Sequence, residues 1–387
     1  MKKISYKKLV IPAIFLLFFT FYLLIDRFVE QDFITHASFA RQMLTGERTN
    51  SGDFLFFWLV NIFSFFSTEV TPSEISLCFL IAAATTFRYY LSQKHIYNFL
   101  NEAYNNVRIY WISVFIALSL MFVFVIPIPS YFVHHGQFYY KNFVPNIWHN
   151  STTIFLFPFA LMLFGLSNEQ LNAFNLKRNV WMFVLIFLNV FIKPSYFFVF
   201  ACVFPIFLFI KYRLKKQFWY GMLPVVIGLL LLVLEYWIIY KTPNPADKEI
   251  SSVVFHPFYF YTLRSALLFF PSSLFFSLLF PICYVLLNFT KLKKNLLFWF
   301  TFSSFIVSVL IFLLIAESGP RAGGGNFYWQ IVICTWLCFF ISLASLIKDF
   351  NREGLTGKNK FLFSVYSLHV LMGLIYFVRF FVVGTFY

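Results

Sequence analysis

Asp32 and His36 lie four residues apart in the stretch QDFITHASFA, near the N-terminus. Residues at this spacing share one face of a helix, and Phe39 and Met43 continue that face as an apolar stripe. The pattern predicts an amphipathic helix at the external membrane surface, which presents a carboxylate and an imidazole just above the bilayer. The alternative is an ordinary solvated helix face with an i,i+4 pair.

A second stretch, ESGPRAGGGNFYWQ (317–330), separates two long apolar runs. Its Gly-Pro turn and three consecutive glycines let the backbone approach a ligand closely. The planar fork of Arg321 suits phosphate oxygens, and Asn326 opens the next helix at an anion-attracting N-terminus. The alternative is a flexible turn with a Glu/Arg pair, but a connecting turn needs neither both charges nor the amide.

Two further candidates flank apolar runs. His149 and Asn150 directly precede one run, so they are expected at the N-terminus of a helix, where an anionic group is stabilised. Asn150 also begins an N-glycosylation sequon, which is the alternative interpretation. Lys193 interrupts the apolar run 180–210. Its ammonium group either extends to the interface or enters a shared cavity as a charge for a phosphate.

Together these residues indicate an acid/base step beside an anionic group. A carboxylate removes the proton from an acceptor hydroxyl, and cations stabilise a departing phosphate or pyrophosphate. No P-loop or dinucleotide fingerprint is present. His134, His135 and His149 have no diagnostic zinc spacing, so we predict no metal ligands and no cofactor.

The composition indicates which elements carry these residues. The chain has 387 residues, of which 60% are hydrophobic and 12% charged, and apolar stretches recur along its whole length. These features predict an all-α polytopic membrane protein. The net charge of +15 lies in short loops between apolar runs, which argues against nucleic acid as a partner and for the charge bias of membrane topology.

The apolar runs predict about eleven transmembrane helices with a cytoplasmic N-terminus. Two choices shape this topology: the segment Phe54–Ser67 is too short to cross and is read as an interfacial helix, and Lys193-Pro194 breaks the run 180–210 into two passes. The predicted crossings are 9–25, 75–91, 109–128, 152–166, 180–192, 196–210, 219–240, 266–289, 296–315, 327–347 and 361–384. Residues 1–387 are then one integral membrane domain with external loops at 26–74, 129–151, 241–265 and 316–327.

In this layout the chain resembles the C-type glycosyltransferase superfamily, whose members use polyprenyl-phosphate-linked sugars. The resemblance rests on one crossing, an external loop with an acidic residue in QDFITHASFA, the interfacial segment FLFFWLVNIFSFF, and a late external loop. The segments PNIWHNST, FIKPSYF and ESGPRAGGGNFYWQ are similar to those of bacterial surface-polysaccharide proteins taken as O-antigen or capsule repeat-unit polymerases. The layout covers the whole chain, whereas the residue similarity covers these segments alone.

The resemblance implies roles for the candidate residues. Asp32 matches the acid of the first loop and becomes the catalytic base, while Arg321 and Lys193 hold the pyrophosphate. His149 and Asn150 lie at the rim of the head-group site, His36 and Glu317 orient the acceptor, and Asn326 is a further substrate-binding candidate. The implied partners are lipid-linked oligosaccharide substrates, membrane lipids, a flippase and a chain-length regulator, in a bacterial inner membrane. Many members of the superfamily need a divalent metal, but no carboxylate pair for one stands out in this sequence.

Three alternatives stay open. A transferase that adds one sugar from a polyprenyl monophosphate would use the same residues. A transporter or flippase of lipid-linked oligosaccharides would need charged residues at the membrane midplane, and the crossings carry few away from their ends. A structural subunit would need no such cluster of polar residues.

Overall fold

The computed structural model describes residues 7–29, 32–48, 52–101, 107–127, 142–241, 251–260 and 263–384. These residues are almost entirely helical, with one two-stranded sheet and two short 3-10 helices. The α-helices are α1 (Lys7–Phe28), α2 (Phe33–Thr45), α3 (Phe54–Phe63), α4 (Val70–Asn101), α5 (Val107–Phe122), α6 (Ser151–Asn172), α7 (Leu176–Ile192), α8 (Ser195–Tyr212), α9 (Lys216–Lys241), α10 (Leu263–Ser277), α11 (Leu279–Leu292), α12 (Leu296–Leu314), α13 (Trp329–Glu353) and α14 (Gly357–Val383). The strands are β1 (Ser252–Phe255) and β2 (Ile315–Ser318), and the 3-10 helices are Gly319–Gly324 and Asn326–Tyr328.

Within the described ranges, 8 helices are long and apolar enough to cross a membrane, and the number is 9 if a bent pair is counted as one span. The 8 are α1, α4, α6, α8, α9, α12, α13 and α14. The chain is therefore an all-α polytopic membrane protein. The crossings expected at 109–128 and 180–192 correspond to α5 and α7, which have only 16 and 17 residues.

The crossing expected at 266–289 is not one straight helix. Its two parts, Phe270–Ser277 and Leu279–Leu292, are bent by 78° at Leu278. Pro281 supplies the reason, because its ring clashes with the carbonyl group four residues earlier, at Ser277, where α10 ends.

The predicted break of the run 180–210 is confirmed. α7 ends at Ile192 and α8 begins at Ser195, so the break falls at Lys193-Pro194 as the proline predicts. The segment predicted to be an interfacial helix forms α3, whose 10 residues are about half of what a straight helix needs to cross hydrocarbon. The buried side of α3 includes Phe56, Phe57 and Val60.

Two compact units make up the chain, and each draws on separate parts of the sequence. The first comprises Met1–Arg88, Trp148–Val254 and Glu317–Asn326. In this unit α7 packs against α6 and α9, and α6 is largely buried. Gly228 allows the close approach of α9, since a Cβ atom there would lie 2.4 Å from Cζ of Phe197 and 2.7 Å from Cγ2 of Ile186.

The second unit comprises Tyr89–Ile147, Phe255–Ala316 and Phe327–Tyr387. Its central helix is α13, and 94% of the most apolar stretch of this span is buried inside the protein. His369 links three parts of this unit: its Nδ1 donates to the carbonyl oxygen of Phe124 (2.7 Å), and its Nε2 accepts from the backbone N–H of Phe280 (3.3 Å). Every candidate site residue lies in the first unit.

Candidate functional site

The N-terminus of α6 is the centre of the site. Asn150 is its N-cap, and its side-chain oxygen accepts hydrogen bonds from the backbone N–H of Thr153 (3.1 Å) and the hydroxyl of Thr153 (2.7 Å). The cap predicted from the sequence is thus present. Because Asn150 is only 5% exposed and its amide is engaged, the residue is not suited to glycosylation.

The helix α2 docks onto this N-terminus through the two residues singled out by their spacing. The side-chain amide of Asn150 donates to Oδ2 of Asp32 at 3.4 Å. One turn further along α2, Nδ1 of His36 lies 2.5 Å from Oγ of Ser151. Asp32 and His36 therefore share a face, as predicted, and that face meets two consecutive residues at the start of α6.

Both histidines of the site are held neutral by their surroundings. Burial lowers the pKa of His36 from 6.5 to about 4, against the opposing effect of the nearby Asp32 carboxylate. Burial likewise lowers the pKa of His149 to about 4. The ring of His36 packs against the rings of Phe39 and Phe57, with centroids 6.2 Å and 5.9 Å away. Neither imidazole therefore contributes a positive charge at neutral pH.

Lys193 is the buried cation of the site. Its side chain is 6% exposed, and Nζ donates to Oγ1 of Thr152 at 2.8 Å and to Oδ1 of Asn150 at 3.4 Å. Burial lowers the pKa of Lys193, while the charges of Asp53 and Asp32 oppose this shift. Of the two predictions for Lys193, the structure favours the ammonium group inside the protein over one extended to the interface.

Asp53 is the partner that sequence reasoning missed. Its Oδ2 lies 4.0 Å from Nζ of Lys193, and it occupies the N-cap position of α3 without making a side-chain cap bond. A local signal existed, since Asp and Asn are preferred directly before a helix. The two paired residues are far apart in the sequence, however, and no local pattern encodes their contact.

The second part of the site centres on Glu317, which is 4% exposed. Its Oε1 accepts from Nε of Arg321 (2.8 Å) and from the hydroxyl of Tyr240, and its Oε2 accepts from the side-chain amide of Asn326. The guanidinium carbon of Arg321 also lies 5.8 Å from the centroid of the Tyr240 ring. The glycine stretch is therefore an ordered 3-10 helix built around a buried carboxylate rather than a flexible turn.

The structure gives Asn326 and Glu317 partners within the protein. Asn326 begins the 3-10 helix Asn326–Tyr328, which runs directly into α13 at Trp329, and its amide donates to Glu317. Glu317 accepts from three donors, one of which is Arg321, and so holds Arg321 in place. Arg321 keeps a side chain that is 30% exposed. Among the described residues its Nη groups have no hydrogen-bond acceptor, which leaves them for a ligand.

The two parts of the site lie within electrostatic reach of each other. The charges on Asp53, Asp32, Arg321 and Glu317 all act on Lys193. Glu235, which is 1% exposed in α9, also lies within reach of Asp53, Arg321 and Lys193.

Glu235 is packed against the segment that carries Asp53. A Cβ atom on Gly52 would lie 3.2 Å from Oε1 of Glu235 and 2.5 Å from Cδ1 of Ile239, so glycine permits the close approach of this segment to α9. Oε1 of Glu235 has no hydrogen-bond partner in the described part of the chain.

Most of the charged groups of the site lie at helix ends. Asp32 follows α1, Lys193 follows α7, and Tyr240 is in the last turn of α9, whereas Asn150 precedes α6. Successive antiparallel crossings bring such ends to one side of a membrane. The site is thus a half-buried carboxylate, a buried ammonium and a partly exposed guanidinium group at one end of a helix bundle.

In the described residues no group of three His, Cys, Asp or Glu side chains is arranged to hold a metal ion. His134 and His135 lie outside those residues, as do parts of the predicted loops 129–151 and 241–265. The sequence matches no protein-family model and no curated protein.

Proposed function

We propose that this chain is a membrane glycosyltransferase that moves a glycan from a polyprenyl-(pyro)phosphate donor to a lipid-linked acceptor. The observation that carries the proposal is the placement of Asp32 beside the Asn150–Lys193 pair, with the Nη groups of Arg321 available in the same unit. A base for a hydroxyl group and cations for a phosphate are the two requirements of this transfer.

The reaction follows from these positions. The acceptor hydroxyl gives its proton to Asp32 as its oxygen attacks the anomeric carbon of the donor. The bond between that carbon and the phosphate oxygen breaks, and the phosphate leaves with the bonding electron pair. Arg321 stabilises the negative charge on the leaving group, because its guanidinium group stays ionised and offers two N–H edges.

Lys193 has a different role from Arg321 in this scheme. Its ammonium group is already surrounded by Thr152, Asn150 and Asp53. Lys193 therefore holds the carboxylates of Asp53 and Asp32 in place by charge and attracts the phosphate at long range. Arg321 makes the direct contact with the phosphate. His149 lies at the rim, where it remains a substrate-binding candidate.

We infer eleven crossings for this enzyme, with the N-terminus in the cytoplasm and the site on the external face of a bacterial inner membrane. The short helices α5 and α7 and the bent pair α10–α11 supply the three crossings beyond the 8 long helices. The basic loops then face the cytoplasm. Lipid-linked donors, which are already activated, would reach the site laterally from the bilayer.

Within this class we propose the polymerisation of O-antigen or capsule repeat units, with a flippase and a chain-length regulator as partners. The test is glycan length on a gel, from cells that lack the gene and are restored with wild type, Asp32→Asn or Arg321→Ala. The matched control is Glu169→Gln, because Glu169 is an exposed carboxylate paired with Arg178 at the other end of α6.

We expect wild type and Glu169→Gln to restore a ladder of repeat units and the two site variants to leave a single unit. A ladder that persists in the deletion strain, with each band shorter by one sugar, would replace polymerisation with single-sugar transfer. Full complementation by both site variants, each present at wild-type level in the membrane, would refute the proposed site.

A further inference from the structure

The hydroxyl group of Ser151 determines which nitrogen of His36 carries the proton. Ser151 is 0% exposed, and within the described part of the chain its side chain makes one hydrogen bond, to Nδ1 of His36 at 2.5 Å. A buried hydroxyl proton needs an acceptor. Nδ1 of His36 is the acceptor present, so Ser151 donates and Nδ1 carries no proton.

A neutral imidazole has a single N–H group, so the proton of His36 lies on Nε2. The neutral form is the relevant one, because burial lowers the pKa of His36 to about 4. Four charged groups act on the ring: Asp32 on its own helix segment, Lys193, Asp53, and Arg48 beyond the end of α2. The fifth titratable neighbour is His149.

The N–H group on Nε2 is available to a ligand. Among the described residues it has no hydrogen-bond acceptor, and the residue is partly exposed. Phe39 and Phe57 pack on the ring and limit its rotation. The protein has thus fixed both the orientation and the tautomer of an imidazole that lies within electrostatic reach of Asp32 and Lys193.

We propose that His36, as a neutral imidazole, donates a hydrogen bond from Nε2 to a phosphate oxygen of the lipid-linked substrate. An N–H donor fits an anionic oxygen, and Lys193 and Arg321 attract the phosphate to the same region. The neutral form of His36 also leaves Asp32 available as the base, because a protonated His36 would pair with the Asp32 carboxylate one helical turn away and weaken it as a base. This proposal rests on the proposed function for the identity of the ligand.

The tautomer can be observed directly by nitrogen NMR of the full chain in lipid nanodiscs, with the histidines labelled. We expect the His36 signals at pH 7 to show a protonated Nε2 and an unprotonated Nδ1, and His36→Gln assigns them by their loss. Ser151→Ala removes the donor, so the preference for this tautomer should fall. A proton on Nδ1 in the wild-type protein would overturn the inference.

Ligand contact is tested by adding undecaprenyl phosphate to the nanodiscs or inorganic pyrophosphate to the buffer. We expect the Nε2–H signal of His36 to shift with at least one of them, while the signal of His256, which lies in the second unit, stays unchanged. A shift with the lipid alone would assign the contact to a lipid head group. No shift with either compound would refute phosphate as the ligand.

A pair of variants separates the two ring nitrogens. The amide nitrogen of His36→Gln reproduces the position of Nε2, and that of His36→Asn reproduces the position of Nδ1. We expect His36→Gln to bind the phosphate compound within a few-fold of wild type and His36→Asn to bind it about 10- to 100-fold more weakly. Equal binding by the two variants, or the reverse order, would overturn the proposal.

These measurements report binding and protonation, not transfer. A protein that binds the phosphate through His36 but leaves the glycan ladder unchanged in cells would refute the proposed function and support the His36 contact. A protein that extends glycans while His36 shows the other tautomer would do the opposite.

Discussion

The ion pair between Lys193 and Asp53 gives a prediction about stability that does not depend on function. We expect Lys193→Met, which keeps most of the apolar stem, to lower the free energy of unfolding by about 2–4 kcal/mol. The loss has two parts. The charge-assisted hydrogen bond to Thr152 at 2.8 Å disappears, and Asp53 loses its nearest cation while its side chain is only 24% exposed.

The coupling between the two residues can be estimated separately. Two unit charges 4.0 Å apart attract by roughly 4 kcal/mol at an effective dielectric constant of about 20. Partial exposure of Asp53 reduces this value, so we expect a coupling energy of about 1–2 kcal/mol. The double variant with Asp53→Asn should therefore be destabilised by less than the sum of the two single variants.

The assay is reversible unfolding in mixed detergent and SDS micelles, followed by tryptophan fluorescence, for wild type, both single variants and the double variant. Lys211→Met is the matched control, because Lys211 lies in the last turn of α8, the helix that follows Lys193, but is exposed. Its effect on the free energy of unfolding should stay within about 0.5 kcal/mol. Additivity of the two site substitutions to within about 0.5 kcal/mol would refute the ion pair.

Three further predictions concern the same unit. His36 and His149 have a pKa near 4 when folded and near 6.5 when unfolded, so the unfolded state binds more protons between these values and stability is lost as the pH falls from about 6.5 to 4. The free energy of unfolding should depend less steeply on pH across this range when both histidines are replaced by Gln. An unchanged dependence on pH would contradict the burial argument. Gly228→Ala should cost about 1–3 kcal/mol through overpacking, whereas Gly165→Ala, with nothing within 4 Å of its Cβ, should be neutral or stabilising; equal effects would refute the close helix contact. Glu235→Leu should raise the free energy of unfolding by about 1 kcal/mol because it removes a buried carboxyl oxygen that has no donor in the described ranges, and a decrease would show that the carboxyl group is paired.

The parts of the site that the sequence predicted are those set by local chain geometry. The spacing of Asp32 and His36 implied a shared face, Asn150 before an apolar run implied a helix cap, and the proline after Lys193 implied a break. Each of these depends on about five consecutive residues or fewer, so the pattern is visible in the chain itself.

The parts that the sequence did not predict depend on contacts between distant segments. The partner of Lys193 is Asp53, and the hydroxyl donor to Glu317 is Tyr240. Neither pairing leaves a periodic or local signal. The hydrogen bond from the Asn326 amide to Glu317 was missed for the same reason, because the position of Asn326 after the glycines indicates a helix start but not the buried carboxylate nine residues earlier.

Asn150 shows why the N-terminus of α6 is more than a structural cap. Asn, Asp and Ser cap helices about equally well, so capping alone does not select among them. Only the amide can also donate to the Asp32 carboxylate while its oxygen accepts from Lys193. An aspartate here would cap the helix and attract Lys193, but it would repel Asp32. A serine would be too short to reach both. The chemical requirement at this position is thus to hold an anion and a cation a fixed distance apart at the end of a helix, which is what a base and a phosphate subsite need of the groups between them.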